Sequence, residues 1–193
     1  MIQPALGLLE LSSIAIGIRV GDAMVKRSPV EVIYAGTVHP GKYLVLVGGA
    51  VAHVEEALPA GREAAAGSLL DEIYLPDIDA RVVAALRGRR GEEVTEALGV
   101  VETRTAAAIL GVADRGVKGA GVELLEVRIA DDLGGKAYCL FAGSVADTEA
   151  AVEVAVAGLT SEQLVSQVVI PQLHAEMAEN LIAAAELLPR VRG

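Results

Sequence analysis

Apolar positions recur along the chain with two different periods. Ile14, Gly17, Ile18, Gly21 and Val25 follow i, i+3, i+4, i+7, i+11 spacing, the single apolar stripe of an amphipathic helix. Ala106, Ile109, Leu110, Ala113 and Val117 repeat that stripe ninety-two residues later, position by position. Between the stripes lie short runs rich in β-branched residues and bounded by glycine. VEVIYAG pairs with KYLVLVGG, and VELLEVRIA pairs with KAYCLFAGS, as antiparallel neighbours do. A later strand, LLDEIYLP in one half and LVSQVVIP in the other, stops at a proline that has no N–H to give to a ladder. Each half therefore reads strand, helix, strand, turn, strand, helix, strand, helix. The closing helices begin at DARVVAALR and HAEMAENLIAAAELL and complete each copy.

The halves are a true internal repeat. At a shift of 92, eleven of the 27 pairs beginning at Ala5 and ending at Glu31 are identical, among them Glu10 with Glu102, Asp22 with Asp114 and Lys26 with Lys118. Past the turn the shift becomes 94, so Gly41 and Lys42 meet Gly135 and Lys136, and the second turn carries two extra residues. The expected organisation is a first domain over 1–88, a charged, glycine-bearing linker over 89–96, and a second domain over 97–193. The expected class is α/β in the broad sense, α+β and ferredoxin-like, with two tandem unpermuted domains, each an antiparallel sheet with helices.

Composition narrows the choices. The 193 residues are 53% hydrophobic but only 3% aromatic, with no Trp, so the cores must be built from small aliphatic side chains. A net charge of −10 and a pI near 4.8 argue against a nucleic-acid partner, which needs clustered Lys and Arg. Mean hydropathy is positive, yet no apolar run approaches the roughly 18 to 20 residues that span a bilayer. No secretory signal pattern opens the sequence and Cys139 has no partner for an internal disulfide, so a reducing, cytoplasmic setting is expected.

Enzyme chemistry is hard to find. LVLVGGAV lies between strand and helix but lacks GxGxxG, no HExxH occurs, and Cys139 alternates within an apolar strand where an inert thiol is expected. His53 sits beside Glu55 and Glu56 on a helix, and His174 opens the last helix. His39 differs, because it stands at the tip of the turn HPGK, where Pro40 restricts its backbone and Gly41 permits the sharp return. The second copy of that turn reads DDLGGK.

The pairs DAMVK and DRGVK, the turns HPGK and DDLGGK, the GG and AG strand ends, and the tails YLPDID and VIPQLH together resemble the tandem-domain shell proteins of bacterial microcompartments. The likeness spans both copies and is greatest to the propanediol-utilisation type. It implies a homotrimer whose six similar domains form a pseudohexamer, a structural tile of the microcompartment shell in the bacterial cytoplasm, and no catalysis. Partners would be further copies of this chain, other shell proteins at tile edges and the enclosed enzymes. It implies a central pore lined by Val38, His39, Pro40 and Gly41 from one turn and by Asp131, Asp132, Leu133 and Gly134 from the other. It implies tiling roles for Lys26 and Lys118, and for Gln172 and His174, although Gln172 stands where the related pattern has arginine. In that type a pore-loop cysteine is associated with a [4Fe–4S] cluster on the threefold axis. His39 takes that place here, so no cofactor is expected natively, and a ring of three His39 would suit a divalent metal instead. The competing functions are a metal or iron–sulfur redox relay at the pore and a ligand-binding sensor module.

Overall fold

The computed structural model describes residues 5–129 and 133–183. The first half contains β1 (Ala5–Leu11), α1 (Ile14–Arg27), β2 (Glu31–Val38), β3 (Lys42–Gly49), α2 (Val51–Ala65), β4 (Leu69–Leu75) and α3 (Ala80–Leu86). The second contains β5 (Ala97–Thr103), α4 (Ala106–Gly119), β6 (Glu123–Ile129), β7 (Ala137–Gly143), α5 (Val145–Val156), β8 (Leu164–Pro171) and α6 (Ala175–Ala183). Each half forms one four-stranded antiparallel sheet, ordered β2-β3-β1-β4 and β6-β7-β5-β8. That is the ferredoxin-like order expected from the repeat. Even the irregularities are copied, with bulges between Val32 and Tyr34 in one sheet and between Leu124 and Glu126 in the other.

Local chemistry explains where the helices start. Ser13 accepts a hydrogen bond from Ile16 N–H, Thr105 from Ala108 N–H and Ser144 from Asp147 N–H, each side chain satisfying a donor that the first turn leaves open. One face of β1, made of Ala5, Leu9 and Leu11, then packs with Val45 and Val47 against Val20 and Met24 of α1 and Val54 and Leu58 of α2. The packing under α1 is close. A side-chain carbon on Gly17 would fall 2.4 to 2.6 Å from the ring and Cβ of Tyr43, so only glycine fits there. At the corresponding places in the second half stand Ile109 and Ala137, both fully buried. Bulk has moved from the strand to the helix while the total is kept.

The two halves share a continuous core, and here the sequence reading needs two corrections. The stripe on α4 is buried throughout, but its twin on α1 is not: Ile14, Ile18 and Val25 are 43%, 58% and 41% exposed, and of the stripe α1 buries only Gly17, alongside Val20 and Met24 outside it. The difference is positional, because α4 packs across β4 and β1 of the first half, while among the described residues no sheet of the other half packs over α1. The second correction concerns the closing helices. α3 does not complete its own copy but crosses to pack on β6 and α4, burying Ile78, Val82 and Val83, with Arg81 donating to the carbonyls of Val117 and Val122. α6 stays at home, where Leu173, Leu181 and Ile182 pack near Leu98 and Leu140 of its own sheet. The 89–96 segment is also more than a tether, since Gly91 N–H donates to Leu125 O and Arg90 bridges Glu126 to the carbonyl of Leu181.

Candidate functional site

The two turns singled out by the sequence lie against each other. In the first, Gly41 adopts a φ of 99° and donates its N–H to Val38 O over 2.9 Å, which closes the hairpin and leaves His39, Pro40 and Gly41 exposed. Val38 itself is buried in the core of the chain. The His39–Pro40 peptide is cis. In the second turn Gly134 and Gly135 both have positive φ, Lys136 N–H donates to Leu133 O, and Leu133 is half-buried. Asp131 and Asp132 lie outside the described residues. Lys42 Nζ reaches the carbonyl of Gly135 at 3.4 Å, and a side chain on Gly135 would meet Pro40 Cδ at 2.8 Å.

Beneath the turns lies a cluster that the sequence reading passed over. Glu10 is fully buried, yet both its oxygens are occupied: Lys42 Nζ donates to Oε1 over 2.6 Å, and Ala106 N–H donates to Oε2 over 2.8 Å. The second donor is the first residue of α4, so the carboxylate also faces the positive end of a helix dipole. One carboxylate thereby joins its own hairpin to the neighbouring domain. The equivalent pair in the second half, Lys136 Nζ to Glu102 Oε1 at 2.7 Å, is open, with side chains 50% and 32% exposed. The signal was present, because Glu10 with Glu102 and Lys42 with Lys136 are identities of the repeat. What the sequence could not show is that the strand turns this glutamate toward a helix of another domain.

The residues expected at tile edges divide. Lys26 is exposed and paired with Asp22 at 2.7 Å, an i,i+4 contact on the open surface. Lys118, whose side chain is 40% exposed, also meets the first half, bonded to Asp114 at 2.8 Å and to the carbonyl of Asp77, while Asp114 accepts Asp79 N–H at 2.8 Å. Gln172 is exposed and left-handed, with φ 53°, and donates its N–H to Glu96 O. His174 is exposed, and its Nδ1 accepts Glu176 N–H at 3.3 Å at the start of α6.

Metal-binding chemistry is thin within one chain. Among the described residues no group of three His, Cys, Asp or Glu side chains is arranged to hold an ion. The sole cysteine, Cys139, is buried in β7, where desolvation pushes its thiol up and keeps it from acting as a thiolate. The three-thiolate set that an iron–sulfur cluster at this turn would need does not fit the residues present.

Comparison with known proteins fits this geometry. A family model described as the BMC domain matches twice, over residues 5–78 and 97–173. The chain belongs to the BMC-domain family. It is 40% identical over 179 residues to the bacterial microcompartment shell protein PduT of Citrobacter freundii, covering 92% of this chain and 97% of the relative. A crystal structure of a microcompartment protein from Desulfitobacterium hafniense DCB superposes with a TM-score of 0.78 at 39% identity, covering 90% of this chain and 97% of that one. The carboxysome assembly protein CcmO of Synechocystis is 27% identical over 93% of this chain and 65% of its own length. The two matched ranges thus contain both sheets.

Proposed function

We propose that this BMC-domain chain is a structural shell protein of a bacterial microcompartment and works as a homotrimeric tile. The observation that carries the reading is the contrast between α1 and α4. Leu110 and Val117 are 0% and 3% exposed on α4, whereas their counterparts Ile18 and Val25 are 58% and 41% exposed on α1. Large apolar side chains in such a stripe call for a partner surface. The surface that covers α4 is the β4 edge of the first half, and its repeat equivalent is β8, where Val168 is 46% exposed. Docking α1 of one protomer on β8 of the next repeats the α4–β4 part of the internal contact head to tail, without the α3 crossing, and six such domains close a ring after three chains. The touching turns then surround the axis three times over. They form a narrow, fixed opening for small metabolites, with His39 at its rim.

The outer edge carries the exposed Lys26, which supports lateral contact with further tiles. Light scattering at micromolar concentration should give the mass of three chains, and electron microscopy should reveal sheets or tubes. Lys26→Asp should leave the trimer intact while thinning the sheets. A monomeric mass would overturn the trimer, and equal sheet formation by the variant would overturn the edge role. The redox-relay reading loses support from the histidine at the turn. Three His39 imidazoles on one axis would form a ligand set for a divalent metal in place of a cluster.

A further inference from the structure

The Glu10 cluster occurs complete once in each chain and incomplete once. The glutamate, the lysine, the strand partner and the helix cap of the complete copy each have a counterpart position in the open one. Glu102 stands for Glu10 and Lys136 for Lys42, already paired at 2.7 Å. The strand partner of Glu10 is Asp71, that of Glu102 is Ser166, and the helix caps Thr105 and Ser13 correspond in the same way. In the complete copy Thr105 donates its hydroxyl to Asp71 and Ala106 N–H donates to Glu10. In the open copy Oε1 of Glu102 has its lysine, and α1, the repeat equivalent of α4, packs in the other half of the chain, away from Oε2.

We infer that Glu102 and Lys136 are a polar latch between protomers, completed when the N-terminus of α1 of a second copy of this chain brings Ile14 N–H to Glu102 and Ser13 to Ser166. This rests on the trimer reading and adds to it the residues that fix the register. An apolar stripe alone tolerates sliding, because burial is non-directional. A carboxylate that must meet one backbone N–H at the positive end of a helix does not. The latch also explains why the glutamate sits on the strand face that the neighbouring helix covers. Within the chain that position is sealed by α4. At the open end the same charge stays hydrated until the next protomer arrives.

Two experiments on the full-length chain separate the latch from the assembly that carries it. Ser13→Cys with Ser166→Cys, a pair placed like Thr105 and Asp71, should yield a disulfide-linked trimer under mild oxidation on a non-reducing gel. Sedimentation equilibrium on Glu102→Ala should then show the concentration for half-assembly raised, by roughly tenfold for each hydrogen bond that the carboxylate no longer makes. Glu102→Gln, which keeps the shape and removes the charge, should fall between Glu102→Ala and the unaltered protein, and it decides the matter if the alanine variant does not fold. Cross-linked trimer together with unaltered assembly of both Glu102 variants would refute the latch and leave the trimer standing. Absence of cross-links with a monomeric mass for the unaltered protein would bring down both.

Discussion

Exchanging bulk between helix and strand at one core position tests whether the halves are equivalent in packing as well as in topology. Gly17→Ile places a branched side chain where its first carbon alone would lie 2.4 Å from Tyr43 Cδ1 and 2.6 Å from its Cβ. Cβ cannot move away without moving β3, so the cost should reach about 3 kcal/mol, the upper part of the range for overpacked cores. Tyr43→Ala alone removes a ring that is only 9% exposed and should cost about 3 to 5 kcal/mol through the cavity it leaves. Added independently, the two losses of about 6 to 8 kcal/mol would consume most of a typical domain's stability. The double variant Gly17→Ile/Tyr43→Ala instead copies Ile109 and Ala137, and the new side chain fills the new space. It should cost no more than about 3 kcal/mol, a coupling of at least about 3 kcal/mol. Urea unfolding followed by circular dichroism, with all four proteins compared at constant m, measures the cycle. A double variant that loses the sum of the two singles would show that the halves match in outline but not in how their cores are filled.

Lys42→Met should lower the melting temperature by roughly 6 to 12 °C, because the fully buried Glu10 keeps only the Ala106 N–H and the loss is about 3 kcal/mol. Lys136→Met in the dissociated chain should change stability by less than about 1 kcal/mol, since its pair is open to water; equal effects in calorimetry would contradict the burial difference. The Arg81 side chain bonded to Asp79 holds that carboxyl below its ordinary range, so its folded value lies beneath its unfolded one. Its contribution is therefore present above the unfolded value of roughly 4 and is lost as pH falls toward the folded value, and Asp79→Asn should flatten this acid loss in urea midpoints between about pH 6 and 3. Parallel curves for the two proteins would show that the pair does not couple folding to pH. Anaerobic iron–sulfur reconstitution should leave the unaltered protein without cluster absorbance and give it to His39→Cys; a cluster in the histidine protein would refute the decisive role of this residue.

Much of the architecture is legible because the repeat states it twice. Strand and helix periods agree between copies, and both glycine-bounded hairpins appear in the sheets where the alternation puts them. The α1 stripe is a true helix signal, but it does not mark the face that the chain buries. Ile18 and Leu110 have the same pattern around them, and only the neighbour decides which one is covered. The destination of α3 is hidden for a related reason, as DARVVAALR is amphipathic whether it folds back or crosses over. Glu10 is visible as an identity but not as a site, because its meaning depends on Ala106, ninety-six residues away in the chain. The aspartates of the second turn fall outside the described residues.

The crossing of α3 makes the repeat indivisible. A gene cut at the linker would release a first half in which Ile78 and, on the last helix, Val82 and Val83 have no β6 or α4 to receive them, and a second half with β6 stripped of its cover. Neither piece is a self-sufficient module, despite each having a full sheet. Duplication followed by this exchange turns two interchangeable tiles into a polar object with a first and a last position. In the proposed trimer such a chain would give the six places of the ring two alternating identities, so that one kind of turn faces the next in strict succession, an arrangement that six free copies of a single domain cannot reach.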